Sequence, residues 1–273
     1  MITVGICTGS FDDTDKGFPG FDQNDEGFLP NVKNEVIGLF NHDYAHVTAP
    51  FTAPVYTNAL ATANDTKGFV LEGTANIAFP EGRMRLSSVL DPELGQAANY
   101  VYWCDKQFPS DVLIEWEFTP LAPSGLCIMF FSACNREGGS VFDATPRTGR
   151  YEQYYNGDID AFHVSYNRTN ALRTPGGEGL RLCNLRKSKG FYMAAQGGDP
   201  IPELELIRPP YPPFLISIVK HGPLVAFYVQ KILSFTYYDD GVTHGPLLGG
   251  GRVGFRQMSP MVGEYANLTV KTI

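Results

Sequence analysis

Alternation with a period of two constrains this chain more than any other feature. In SDVLIEWEFTPL, Val112, Ile114, Trp116 and Phe118 fall on one face of an extended segment, and Leu113, Glu115, Glu117 and Thr119 fall on the other. That pattern predicts a strand with one buried and one open face, and it puts Trp116 in the core among apolar neighbours. The run GLCIMFFSA is apolar on both sides, which predicts a central strand covered on both faces. PFLISIVKHGPLVAFYVQKILSFTYYDD reads as two strands joined through His221, Gly222 and Pro223, with a third after the turn near Lys231; GGGRVGFRQM and YANLTVKTI add two more. With 29 Gly and 20 Pro as punctuation, no stretch of helical period exceeds about ten residues. From Val55 onward roughly ten to fourteen short strands are expected. Two packed antiparallel sheets are the all-β arrangement that buries their apolar faces.

Residues 1–54 differ in character, being rich in Gly, Asp, Asn, Phe and Pro, with NVKNEVIGLF as a candidate short helix. They hold too few apolar residues for a core of their own, so they are expected to lie as an extension over the sandwich formed by residues 55–273. The net charge of −8 argues against a nucleic-acid binder, so an anionic ligand would need a local basic cluster. No run of about 18 apolar residues is present to span a membrane as a helix. The first twenty residues lack a basic stretch followed by an apolar one, so no signal peptide is read there. The five cysteines, Cys7, Cys104, Cys127, Cys134 and Cys183, are an odd number without a CxxC pair, which indicates neither a zinc site nor a complete disulfide framework. A cytosolic location is favoured over a secreted mature form.

The chemistry-bearing residues concentrate between Arg147 and Asp199, in RTGRYEQYYNGDIDAFHVSYNR and CNLRKSKGF. His163, Tyr151, Tyr154, Tyr155, Gln153, Asp158 and Asp160 lie there with Arg147, Arg150, Arg168, Arg186 and Lys187, and Arg256 extends the set. Such a mixture can hold a polyhydroxylated, acidic ligand by stacking and charge-assisted hydrogen bonds, with a proton carrier at neutral pH. In DIDAFHVSY, Phe162, Val164 and Tyr166 share one face and Ala161, His163 and Ser165 the other, so His163 and Tyr166 do not pair; Tyr151 or Tyr155 is the better partner. The plainer alternative is that Arg147, Arg186 and Lys187 pair with Asp158, Asp160 and Asp199 to brace loops.

Other arrangements also merit weighing. Glu115 and Glu117 project from one face with α-carbons about 6.5 to 7 Å apart, within reach of the roughly 5 to 5.5 Å carboxyl separation of a retaining glycosidase; the alternative is a solvated strand face. Asp158 and Asp160 are a weak calcium candidate, since Asp also favours turns. His42 and His46 have metal-ligand spacing but no HExxH context. Tyr102, Trp103, Tyr154 and Tyr155 are candidate stacking platforms for pyranose rings. Gly249 to Gly251 lack the Lys-Ser/Thr of a phosphate loop, and no nucleotide cofactor is implied.

The order YWCDKQFPSDVLIEWEFTPL, GLCIMFFSA, RTGRYEQYYNGDIDAFHVSYNR, CNLRKSKGFYMAAQGGDPIP, DDGVTHGPLLGGGRVGFRQM resembles the YesU-like family, bacterial proteins of unassigned activity encoded beside rhamnogalacturonan-utilisation genes. The likeness covers 55–273 and implies a concanavalin A-like or galectin-like jelly-roll β-sandwich in a sugar context, without a mechanism. His163 would then face the concave groove where jelly rolls bind sugars. The site is also similar to that of jelly-roll polysaccharide lyases, which implies Arg147, Gln153 or Lys187 neutralising a uronate carboxylate, His163 removing the α-proton and Tyr151 protonating the leaving oxygen. Tyr155, Asp158, Arg168, Arg186 and Arg256 would complete the binding site for an oligosaccharide or polysaccharide. Hydrolysis by Glu115 and Glu117 is the alternative, although laminarinase-like enzymes continue their acidic motif to a further Glu where this chain has Phe118, Thr119 and Pro120. A non-catalytic lectin-like module is a third reading, because jelly rolls host binders as well as enzymes.

Overall fold

Alternating strands bury one face each only when two sheets meet, and the computed structural model, which describes residues 42–122, 125–168, 181–202 and 208–273, shows that arrangement. One sheet orders β13 (Ile232–Tyr238), β12 (Leu224–Val229), β11 (Phe214–His221), β6 (Val112–Pro120), β15 (Val262–Thr272), β4 (Met84–Ser88) and β3 (Ala75–Ala78), with β1 (Ala53–Asn58) also paired to β15. The second orders β10 (Met193–Gly198), β9 (Leu182–Lys187), β8 (Ile159–Tyr166), β7 (Leu126–Asn135), β14 (Arg252–Met258), β5 (Tyr100–Trp103) and β2 (Val70–Glu72). Pairing is antiparallel in both sheets. The protein is thus mostly β, a sandwich of the expected class.

Between the sheets, Ile114, Trp116 and Phe118 of β6 meet Met129, Phe131, Phe162, Val164 and Tyr166 of β7 and β8. The Trp116 indole donates to the Tyr166 hydroxyl at 3.2 Å, satisfying the one polar atom of a fully buried ring. β7 is apolar on both sides because its outer face is covered too. Residues 136–158 fold back over the second sheet and place Val141, Tyr151 and Tyr154 on Val101, Trp103, Ile128, Phe130 and Ala161. Two glycines permit the close approaches: a Cβ on Gly149, at φ +88°, would sit 2.0 Å from the Asn99 carbonyl oxygen, and one on Gly254 would lie 2.5 Å from the Trp103 ring.

A buried ion pair anchors the returning segment to the sheet. Arg147 donates to both carboxylate oxygens of Glu72, at 2.6 and 3.1 Å, and to the Val141 carbonyl at 2.9 Å, while the Tyr154 hydroxyl donates to Glu72 at 2.7 Å. The outer face of the first sheet is dressed differently. Tyr44, Val47 and Phe51 pack on Leu113, Val219, Ala226 and Tyr228, and ion pairs cover part of the remainder. Residues 1–41, with the candidate helix NVKNEVIGLF, lie outside the described residues.

Replacing Glu72 with Gln keeps the side chain's shape but leaves the Arg147 charge answered only by the exposed Asp158 at 4.0 Å. Breaking a buried pair in this way is expected to lower unfolding free energy by about 3–5 kcal/mol in urea titrations. A loss within the roughly 0.5 kcal/mol of ordinary surface changes would show that apolar contacts alone hold the segment.

Candidate functional site

Strand register determines which polar side chains meet on the outer face of the second sheet. His163 stands opposite Phe130 on one side and Arg186 on the other. Two residues along, Ser165 stands opposite Ile128 and Asn184; Ile128 pairs with Arg256, and Asn184 with Gln196. Because side chains alternate, these rows project from the same face. The one-turn helix Glu152–Tyr155 and the residue before it, Tyr151, are laid across them.

At the centre is a chain of hydrogen bonds that runs Tyr151, His163, Ser188. The Tyr151 hydroxyl lies 3.1 Å from His163 Nδ1, and His163 Nε2 lies 2.6 Å from Ser188 Oγ. The Ser188 hydroxyl donates to the Tyr154 carbonyl at 2.7 Å, so Ser188 Oγ accepts from Nε2–H. Nδ1 therefore carries the lone pair, and Tyr151 donates to it. Burial first, and then the charges of Arg186 and Arg256, push the His163 pKa down to about 3, so the ring is neutral at pH 7. Burial raises the Tyr151 pKa, while Arg186, Arg256 and Arg168 act the other way. Tyr151 is a phenol whose proton has a fixed acceptor and whose conjugate base would meet three cations. His163 is 1 % exposed with both ring nitrogens engaged, whereas Tyr151 is 9 % exposed. The role of proton abstractor given to His163 on sequence grounds meets no open nitrogen; the residue holds Tyr151 instead.

Buried cations of this protein are answered in different ways, Lys220 by the hydroxyl and carbonyl of Ser110 at 3.0 and 3.2 Å. Arg147, Arg181 and Lys187 each face a carboxylate, Glu72, Asp199 and Asp239 respectively. Among the described residues no carboxylate lies within ion-pair reach of Arg186 or Arg256. Arg186 donates to the Phe191 carbonyl and its guanidinium carbon lies 3.6 Å from the Phe191 ring centroid. Arg256, fully buried, donates through Nη2 to Gln96 Oε1 at 2.9 Å and to the Gly149 carbonyl at 3.2 Å, and sits 4.8 Å from the Tyr151 ring centroid. Its Nε and Nη1 have no hydrogen-bond partner. Burial lowers its pKa to about 10, which still leaves it charged at pH 7.

The remaining candidates separate from this cluster. Arg147 is committed to Glu72, and Lys187 is 2.7 Å from Asp239, so neither is available to neutralise a ligand. Gln153 accepts from the Thr148 amide at 2.8 Å and Asp158 from the Thr145 amide at 2.6 Å, both shaping the turn beneath Tyr151. Asp160 pairs with Arg136 at 2.8 Å. Glu115 and Glu117 share a face as expected, but it is the outer face of the first sheet, across the whole sandwich from His163. There Glu115 accepts from Tyr44 and from Lys271 at 3.1 Å, and Glu117 from Arg83 at 2.9 Å. Partial burial raises the Glu117 pKa, but hydrogen bonds from Arg83 and Asn267 win and hold it low. Tyr102, Trp103 and Tyr154 are buried in the two cores, which removes them as stacking platforms; Tyr155, whose ring lies 4.9 Å from Phe191, is half-buried at the rim. Among the described residues no three His, Cys, Asp or Glu side chains gather to hold a metal. Sequence reasoning missed Asn184 as a site residue, although it lies two positions from Arg186 on one strand face, and it missed Ser188 and Gln96, for which no local signal exists.

A two-sheet antiparallel sandwich with this strand order is a galectin-like fold: the chain superposes with a TM-score of 0.74 on a galectin-like protein of unknown function from Bacillus subtilis, at 36 % identity over 81 % of this chain and 97 % of that one. Residues 53–270 match a domain of unknown function, DUF1961, and the chain belongs to that family. The uncharacterized protein YesU of Bacillus subtilis (strain 168) is 37 % identical over 220 residues, 80 % of this chain and 95 % of that protein.

The folded His163 pKa near 3 lies below the ordinary 6.5, so as pH falls through that interval the unfolded chain takes up a proton that the folded protein refuses. The stability contribution is complete above pH 6.5 and is lost towards pH 3. His163→Asn is expected to flatten the pH dependence of unfolding free energy there by up to about 1.4 kcal/mol per pH unit. Parallel profiles for the two proteins would show that His163 titrates normally.

Proposed function

We propose that this protein is a carbohydrate-active enzyme that cleaves a uronate- or rhamnose-containing oligosaccharide on the outer face of the second sheet, by lyase-type acid/base chemistry centred on Tyr151. The observation that supports this reading is the Tyr151 hydroxyl held by a neutral His163 beside two arginines that have no carboxylate within ion-pair reach among the described residues. In a concerted elimination, the Tyr151 hydroxyl gives its proton to the leaving oxygen while its oxygen, in the field of Arg186 and Arg256, takes the proton from the α-carbon, and the carbon–hydrogen and carbon–oxygen bonds break as the carbon–carbon double bond forms. Tyr151 ends as it began, and no further reagent is consumed. Hydrolysis by Glu115 and Glu117 is disfavoured by their ion pairs with Lys271 and Arg83 on the opposite outer face. A lectin-like module is the second reading, favoured by the low exposure of Tyr151.

The test is incubation with a panel of pectic and algal oligosaccharides, following the ultraviolet absorbance of an unsaturated product and new reducing ends together. Tyr151→Phe is expected to lower the absorbance rate by roughly 10²- to 10⁴-fold, the usual worth of general acid/base help, while Glu115→Gln keeps it. Reducing ends without absorbance, lost in Glu115→Gln, would move the chemistry to the other face. Binding without either signal would make the protein a lectin.

A further inference from the structure

Resting on that sugar reading, we infer that Arg186 and Arg256 form an anion site that receives the carboxylate of an acidic sugar, so that the ligand is a uronate and not a neutral deoxy sugar such as rhamnose. The first argument is pairing. The protein has a surplus of acids and supplies one to each of Arg147, Arg181 and Lys187 wherever those cations are buried. Among the described residues it brings none within ion-pair reach of Arg186 or Arg256, and the ionisable groups there that act on these two are tyrosines and Arg168. A guanidinium withdrawn from water with unused N–H donors is a poor structural element, because apolar packing would serve the fold better.

The second argument is shape. Phe191 and Tyr151 flank the cluster: the Arg186 guanidinium carbon lies 3.6 Å from the Phe191 ring centroid, and that of Arg256 4.8 Å from the Tyr151 ring centroid. Gln96 and the Gly149 carbonyl hold one end of Arg256 and leave Nε and Nη1 unused. Arg186, half-buried, is the member that an incoming anion meets; Arg256 acts from beneath, through a region from which water is excluded and charges are weakly screened. Asn184 and Ser165 form the neighbouring row of the same face, where Asn184 Oδ1 accepts from Gln196 at 2.8 Å. Arg256 lies 4.8 Å from the Tyr151 ring centroid and Arg186 stands opposite His163, the partner of the Tyr151 hydroxyl, so the acidic group they hold would lie near the proton-transferring residue.

The experiment is calorimetric titration of the full-length protein with oligogalacturonate, its methyl ester, a rhamnose oligosaccharide and acetate, repeated with Arg186→Gln. In parallel, the side-chain Nε–H resonances of Arg186 and Arg256 are followed in the wild type, which keeps the test independent of whether a variant folds. The free acid is expected to bind about ten- to a hundredfold more tightly than its ester, the range of one charge-assisted contact. Arg186→Gln should remove most of that preference, and both Nε–H signals should move with the acid alone. Equal binding of acid and ester, or a preference that survives in Arg186→Gln with unmoved Nε–H signals, overturns the inference while leaving the sugar reading intact. Acetate competing as well as the oligouronide also overturns it, marking a general anion site. If no oligosaccharide binds, the sugar reading fails, and this inference fails with it.

Discussion

The carboxylate of Glu72 is the point on which the rest of the site depends. It stands at the end of β2, at the margin of the second sheet, and it gathers Arg147 and Tyr154 from a segment that has no strand of its own to hold it. Residues 136–158 lie outside the hydrogen-bonded ladder between β7 and β8, so much of their hold on the sheet comes from side chains, beside a backbone bond from the Gly190 amide to the Tyr155 carbonyl at 2.7 Å. Once Glu72 has fixed Arg147 and Tyr154, the intervening turn has little freedom. Gly149 passes against the Asn99 carbonyl where no Cβ would fit, and Tyr151 arrives over His163. The ring of Tyr154, stacked on Phe130 at 5.1 Å, adds the apolar contact beneath.

Most cations withdrawn from water in this molecule have an acid beside them: Asp239 beside Lys187, Asp199 beside Arg181, Glu72 beside Arg147, while Lys220 donates instead to Ser110. On the outer face of the first sheet the same logic runs in half-exposed form, with Arg83, Arg85, Glu117 and Glu264 in mutual contact. Such pairs contribute little to stability singly, but they leave no charge unanswered. Among the described residues the cluster around Tyr151 differs, because Arg186 and Arg256, with no carboxylate in ion-pair reach, act on one phenol and one neutral imidazole. An exception to charge pairing inside an otherwise well-paired protein is a feature of function more often than of folding.

The two outer faces of the sandwich therefore have different fates. That of the first sheet is closed by the segment around Tyr44 to Phe51 and by its own ion pairs, and its two glutamates are partners in that closure. That of the second is closed by a loop that brings functional groups with it. Tyr151, Arg186, Phe191 and Tyr155 form a rim in which aromatic rings and a cation alternate, a surface suited to a ring with hydroxyls on its edge and an acidic substituent.

Period-two alternation was enough to determine the fold class and much of the core: the inward set Ile114, Trp116 and Phe118, and the opposition of His163 to Tyr166, follow from strand geometry alone, which is local. The doubly apolar run at β7 likewise announced a strand covered twice. Which residues would make the site was only partly legible. Tyr151, His163, Arg168, Arg186 and Arg256 could be nominated from residue type, but so could Arg147, Lys187, Gln153 and Asp158, and nothing in the sequence tells a cation that will be paired from one that will not. Pairing is decided by contacts between residues far apart in the chain, 75 positions for Arg147 and Glu72 and 52 for Lys187 and Asp239. The tautomer of His163 depends on Ser188, 25 residues away, and that of Ser188's own proton on Tyr154. Tertiary structure alone separated Glu115 and Glu117 from His163, because the two strands that carry them belong to different sheets, and their faces look away from each other.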